Sequence, residues 1–166
     1  MMEPWEVWVR STALSAFVLK NGAWLWPLCE TLHFLGLSLL IGTVGLFDLR
    51  VLGVAKAIPP AALHRLIPWG IGGYAVNLLT GITFFSGYPE QYAYNSAFHV
   101  KLVFMSVAAL NAAIFYTAAF REVRSLAAGA QASLRARVIT GISLLSWIGV
   151  LVCGRLLTFY RPPFFH

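Results

Sequence analysis

Residues 24–47 read WLWPLCETLHFLGLSLLIGTVGLF, and the fold turns on this stretch. It carries one formal charge, Glu30, and one other ionisable group, His33, in a run that is otherwise apolar or small. A helix needs about 20 such residues to cross the hydrocarbon core of a bilayer. Three further stretches of the same kind come after it in the chain. They run from about 66 to 88 with no Asp, Glu, Lys or Arg, from about 98 to 120 with Lys101 near the start, and from about 138 to 159 with Arg155 near the end. Breakers fall between and after them: Pro59-Pro60 and Pro68, Gly87-Tyr88-Pro89, the small-residue run 127–130, and Pro162-Pro163.

Composition agrees. Of 166 residues, 59% are hydrophobic and 11% charged, against about 25% charged in an average soluble protein. So few charges do not cover a soluble globule, and so many apolar residues exclude disorder. Two cysteines exclude a disulfide-stapled miniprotein. The expectation is an all-α integral membrane protein: one transmembrane domain over 1–166, a four-helix bundle in lipid. Residues 5–20 are too short and polar to span. Trp5, Trp8, Val9, Thr12, Ala13, Ala16 and Phe17 recur at helical spacing, so this segment reads as an amphipathic helix in the interface. Glu3 and Glu6 near the start, with no basic run ahead of an apolar one, argue against a signal peptide.

There are 12 Lys and Arg against 6 Asp and Glu. In a membrane protein this excess belongs to cytoplasmic loops and does not imply nucleic acid. The loop between spans one and two carries Arg50, Lys56 and Arg65, and that between three and four carries Arg121, Arg124, Arg135 and Arg137. The opposite side has Arg10, Lys20 and Arg161, with Lys101 and Arg155 at helix ends. Both termini are therefore expected outside, periplasmic in a bacterium.

Ionisable groups within a bilayer are costly and usually functional. Glu30, His33, His99, Lys101 and Arg155 all fall in the outer half under this topology. His33 and His99 come from different helices at a shared depth, which suits the two axial ligands of a b-type haem. Gly36, one turn from His33, and Ser106, Ala109 and Ala113 on the third span would leave room for the macrocycle. Lys101, about 200° round the helix from His99, is expected to reach for the interface. Glu30 would tune the site and Arg155 would clamp a propionate. Glu30-x-x-His33 is also half of a carboxylate-bridged metal motif, and a single copper or zinc on His33, His99 and Glu30 or Cys29 is a competing assignment. On the fourth span, Gly141, Gly149 and Cys153 oppose Arg155, and either face suits the bundle interior. Cys29 and Cys153 share a depth, either bridged or simply buried. Gly73, Asn77 and Gly81 at spacing four read as a close helix-packing stripe. Tyr88, Tyr92, Tyr94 and Glu90 form an outer belt or docking surface.

The pieces 30–36 (ETLHFLG), 48–53 (DLRVLG), Pro68-Trp69, 98–102 (FHVKL) and Asn111 resemble an uncharacterised family of small four-helix bacterial inner-membrane proteins. More loosely the architecture is similar to cytochrome b561-type and copper-resistance D membrane proteins. That likeness implies a bacterial inner membrane. The chain departs from b561-type proteins, which usually carry more helix-borne histidines: only His33 and His99 qualify, with His64 in an inner loop and His166 at the chain end, so one haem is expected.

Three functions stay open. The first is a b-type cytochrome with one haem b near the outer face, exchanging electrons with a quinone or a periplasmic redox protein. The second is a non-redox, transporter-like subunit binding a metal or relaying protons through His33, Glu30 and His99. The third is a structural bundle that binds a partner or a second copy of itself.

Overall fold

The computed structural model describes residues 3–160, which form eight helices and no strand. Arg161, Pro162-Pro163 and His166 lie outside the described residues. Four helices are long: α2 (Ala13–Leu52), α4 (Ile67–Gly87), α6 (Ser96–Ala118) and α8 (Leu134–Leu156). Four are short: α1 (Pro4–Arg10), α3 (Pro60–His64), α5 (Pro89–Ala93) and α7 (Phe120–Ser125). Of these, α2, α6 and α8 are long and apolar enough to cross a membrane. Their outward faces are apolar, with Phe34, Val103, Leu110 and Leu145 each more than 60% exposed.

The expected helix over 5–20 is two elements. Ser11 and Thr12 divide it: each hydroxyl bonds a carbonyl behind it, Ser11 to Trp8 and Thr12 to Val9. Thr12 then caps α2 by accepting from the Ser15 amide at 3.2 Å. From there α2 runs 40 residues, about 60 Å at 1.5 Å per residue. That is twice the hydrocarbon thickness, and the helix itself begins well before residue 24. Trp8, Ala13, Ala16 and Phe17 face away from the protein, whereas Glu6, Ser15 and Val18 face inward. Arg10 pairs with Glu90, and Trp5 packs on Tyr94, so α1 is strapped to α5. Of the expected tyrosine belt, Tyr94 and the neighbouring Glu90 meet α1.

At the other end, Gly53 stops α2 at φ 109°, the left-handed cap that glycine adopts without cost. Asp48 and Arg50, two residues apart, point to opposite sides of α2, and both are buried. Arg50 donates to the carbonyls of Ile58 and Ala130, the latter at 3.3 Å, and so joins the α2–α4 and α6–α8 connections. The tightest apolar core lies at this end, where Phe47, Val51, Phe115, Val123, Ala136 and Ile139 meet.

The long helices pack in the order α4–α2–α8–α6. The α2–α4 seam is the closest. A Cβ on Gly36 would sit 2.7 Å from the Gly73 carbonyl, and one on Gly73 would strike the Gly36 carbonyl. Gly70 meets Thr43, and Gly87 meets Val18 and Trp26. Gly73 and Asn77 therefore lie on the packing face as expected. Gly81 does not: nothing approaches its Cβ position within 4 Å. The seam leaves that line and runs through Thr80.

Candidate functional site

His33 and His99 take different surroundings. On α2, His33 is half-buried in the seam, its Nδ1 2.7 Å from Thr80 Oγ1 and its ring against Phe84. The Thr80 hydroxyl donates to Val76 O at 2.8 Å. With that hydrogen on Val76 O, the Thr80 oxygen accepts from Nδ1–H of His33, and in that tautomer the lone pair is on Nε2. His99 on α6 is exposed, and no ring contact joins it to His33 among the described residues. The reason is the packing order. α6 lies along α8 rather than α2, so it turns Ala97, Lys101, Ala108, Asn111 and Phe115 inward and His99 outward.

Lys101 is the α6 cation that faces the bundle, opposite to the expected snorkelling. Its Nζ lies 4.0 Å from where a Gly154 Cβ would stand, and its charge reaches both Cys153 and His33. Ser106, Ala109 and Ala113, expected to face a macrocycle, are exposed. The space beside Gly36 is filled by α4. Glu30 and Arg155 both point outward, while Cys29 and Cys153 are buried as free thiols. The open question on α8 is thereby decided: Cys153 faces in, and Gly149 lets the Phe104 ring approach to 2.7 Å of its Cβ position. No cluster of three or more His, Cys, Asp or Glu forms among the described residues.

A second polar site lies in the half of the bundle nearer Arg50, expected from the sequence to be the inner half, where the sequence offers only helix-end markers. A cavity of about 270 Å³ is walled by α2, α4, α6 and α8, with His64 of α3 at its inner end. Asp48 lines it at 3% exposure, with no hydrogen-bond partner for Oδ2 and no ion pair among the described residues. The Ser143 hydroxyl stands beside the carboxyl. Two donors around them are engaged with backbone. Asn111 ties its amide nitrogen to Ile139 O at 3.0 Å, and Thr140 gives its hydroxyl to Ala136 O at 3.0 Å. No Lys or Arg of the described residues lines the space. Tyr74 and Trp147 meet edge-on at 6.2 Å across its wall.

At the inner end His64 Nε2 lies 3.2 Å from the Tyr116 hydroxyl, and the ring packs on Phe47 and Phe120. Partial burial, and then the nearby Arg124 charge, push the His64 pKa below its usual value. At neutral pH it is an uncharged wall. The cavity is open on one side, because α4 and α6 do not pack along each other. Ile71 on α4 and Ala109 and Ala112 on α6 line the cavity and are also exposed. A signal for the site exists in the sequence, since Asp48 and Ser143 are rare polar residues near apolar runs. Their meeting depends on helix packing. The chain matches no family model, no curated protein and no solved structure.

Proposed function

We propose that this is a four-helix membrane protein in which α2, α4, α6 and α8 all cross the bilayer, and that it holds a small membrane-soluble ligand in the inner-half cavity beside Asp48. The observation that carries the proposal is a buried carboxylate, without a counter-ion among the described residues, in a cavity open between two helices. Such a group is costly in hydrocarbon and is a functional site by default. At 21 residues without a formal charge, α4 is about 31 Å long and matches the bilayer core. Basic residues crowd the Arg50 end, which makes that end cytoplasmic and both termini outer. The bacterial inner membrane rests on the resemblance. A reporter fused after His166 should accordingly behave as periplasmic, and a cytoplasmic signal would invert the bundle.

The direct experiment purifies the protein in native-lipid nanodiscs and extracts bound small molecules for mass spectrometry. Wild type should release a near-stoichiometric species that Ala109→Trp, which plugs the opening, reduces at least about tenfold. Equal recovery from both proteins would refute the proposal.

One feature favours a second function, with haem b or another metal on His33. Its Nδ1 is oriented by a hydroxyl and its Nε2 is free, the arrangement that a ligating imidazole takes. Here His99, exposed on α6, would not be the partner. An oxidised and dithionite-reduced absorption spectrum of the same sample decides it: a Soret band lost in His33→Ala supports haem, and a colourless protein made with ample haem removes it.

A further inference from the structure

The lining of the inner-half cavity selects a charge as well as a size, a selectivity that rests on the ligand-holding function proposed for it. Asp48 is buried with no Lys or Arg beside it among the described residues. A buried carboxylate left alone is strongly unfavourable, whereas one paired with a cation and fully hydrogen-bonded is tolerated. Asn111 and Thr140 spend a donor each on the backbone rather than on the carboxyl. A ligand that suits this lining brings hydrogens and positive charge together. The walls agree: Tyr74 and Trp147 present aromatic rings, which attract cations by their quadrupoles. The volume, about 270 Å³, holds of order ten non-hydrogen atoms when each takes somewhat less than the ~30 Å³ of a water.

We infer that the inner-half cavity is a binding site for a small lipophilic primary or secondary amine, its ammonium group on the Asp48 carboxylate and its apolar body against Tyr74, Trp147 and Met105. Entry is from the lipid, between Ile71 of α4 and Ala109 and Ala112 of α6. Ser143 accepts a second ammonium hydrogen. Neutral alcohols of the same shape fit the walls but leave the carboxylate uncompensated, and anions are repelled.

The test uses full-length protein in phosphatidylcholine nanodiscs at pH 7.4, with tritiated octylamine and tritiated octanol as probes and empty nanodiscs as the partition blank. Octylamine should bind saturably near one per chain. Asp48→Asn, which keeps the shape and removes the charge, should weaken it about tenfold to a hundredfold, the worth of one charged hydrogen bond. Octanol should bind more weakly and equally to wild type and Asp48→Asn. Ala109→Trp, at an exposed position where bulk does not disturb the packing, should block both probes, and it keeps the test decisive if Asp48→Asn fails to fold. Octylamine binding that is unchanged in Asp48→Asn overturns the inference. Saturable octanol binding blocked by Ala109→Trp, without octylamine binding, overturns the amine and keeps the cavity as a ligand site. If neither probe saturates wild type, both proposals fall.

Discussion

Gly73→Ala should destabilise the protein while Gly72→Ala, one residue away, should stabilise it. In a helix interior the exchange normally gains up to about 1 kcal/mol, because alanine loses less backbone freedom on folding. Gly72 has nothing within 4 Å of its Cβ position, so it should show that gain. At Gly73 the new methyl would strike the Gly36 carbonyl and stand 3.0 Å from Leu39 Cβ and 3.1 Å from the Leu40 amide nitrogen. Two of those neighbours are backbone and cannot rotate away. The helices must separate, and the Asn77, Gly70–Thr43 and His33–Thr80 contacts loosen with them. For Gly73→Leu the loss should reach about 3 kcal/mol or more, at the upper end of overpacking costs. Gly81→Leu, facing open space, should stay within about 0.5 kcal/mol of wild type. Thermal unfolding in detergent, or unfolding by added SDS, measures all four. Equal behaviour of Gly72→Ala and Gly73→Ala would show that the α2–α4 seam is misplaced.

Arg50→Met should be nearly as damaging, for an opposite reason. Arg50 is 1% exposed, and its Nε and Nη2 donate to the carbonyls of Ile58 and Ala130, with Ala127 at the 3.5 Å limit, while Nη1 has no partner among the described residues. Each bond to a charged donor contributes about 1.5–3 kcal/mol, and a buried carbonyl left behind adds desolvation cost. Methionine fills the space and replaces none of the bonds, so about 3–5 kcal/mol should be lost. Arg50→Lys should be intermediate, because a point ammonium cannot bridge two connections as a planar fork does. Proteolysis within 54–59 and 127–132 should accelerate in Arg50→Met with little change at the outer end. If both loops stay protected, Arg50 is not the tie between them.

Gly73 and Arg50 also show how much is legible in the chain before it folds. The run DLRVLG reads as a helix end, and it is one: Gly53 closes α2 in the left-handed conformation. Nothing local says that Arg50 is buried, because its acceptors are carbonyls 8 and 80 residues away. The histidines differ. Their depth is read from distance to the helix ends, but depth says nothing of rotation about the helix axis. With hydrophobic residues all round α6, no polar face announces its partner. Ligand chemistry favours His99 as the interior group of α6, and packing against α8 chooses Lys101 instead.

Local chemistry is enough to specify an all-helical chain with apolar runs long enough to cross a bilayer, the four long helices to within a turn or so at most ends, and the glycine approach at Gly73. Apolar run length and Pro and Gly breakers carry that information within a few residues of each feature. The order α4–α2–α8–α6, the burial of Lys101 and Cys153 over His99 and Arg155, and the gathering of Asp48, Asn111, Thr140 and Ser143 round one cavity come only with tertiary packing. Lipid is as apolar as leucine, so hydropathy does not tell a lipid-facing side chain from an interior one. Which face of a membrane helix turns inward is set by close packing and a few hydrogen bonds, and those exist only once the helices meet.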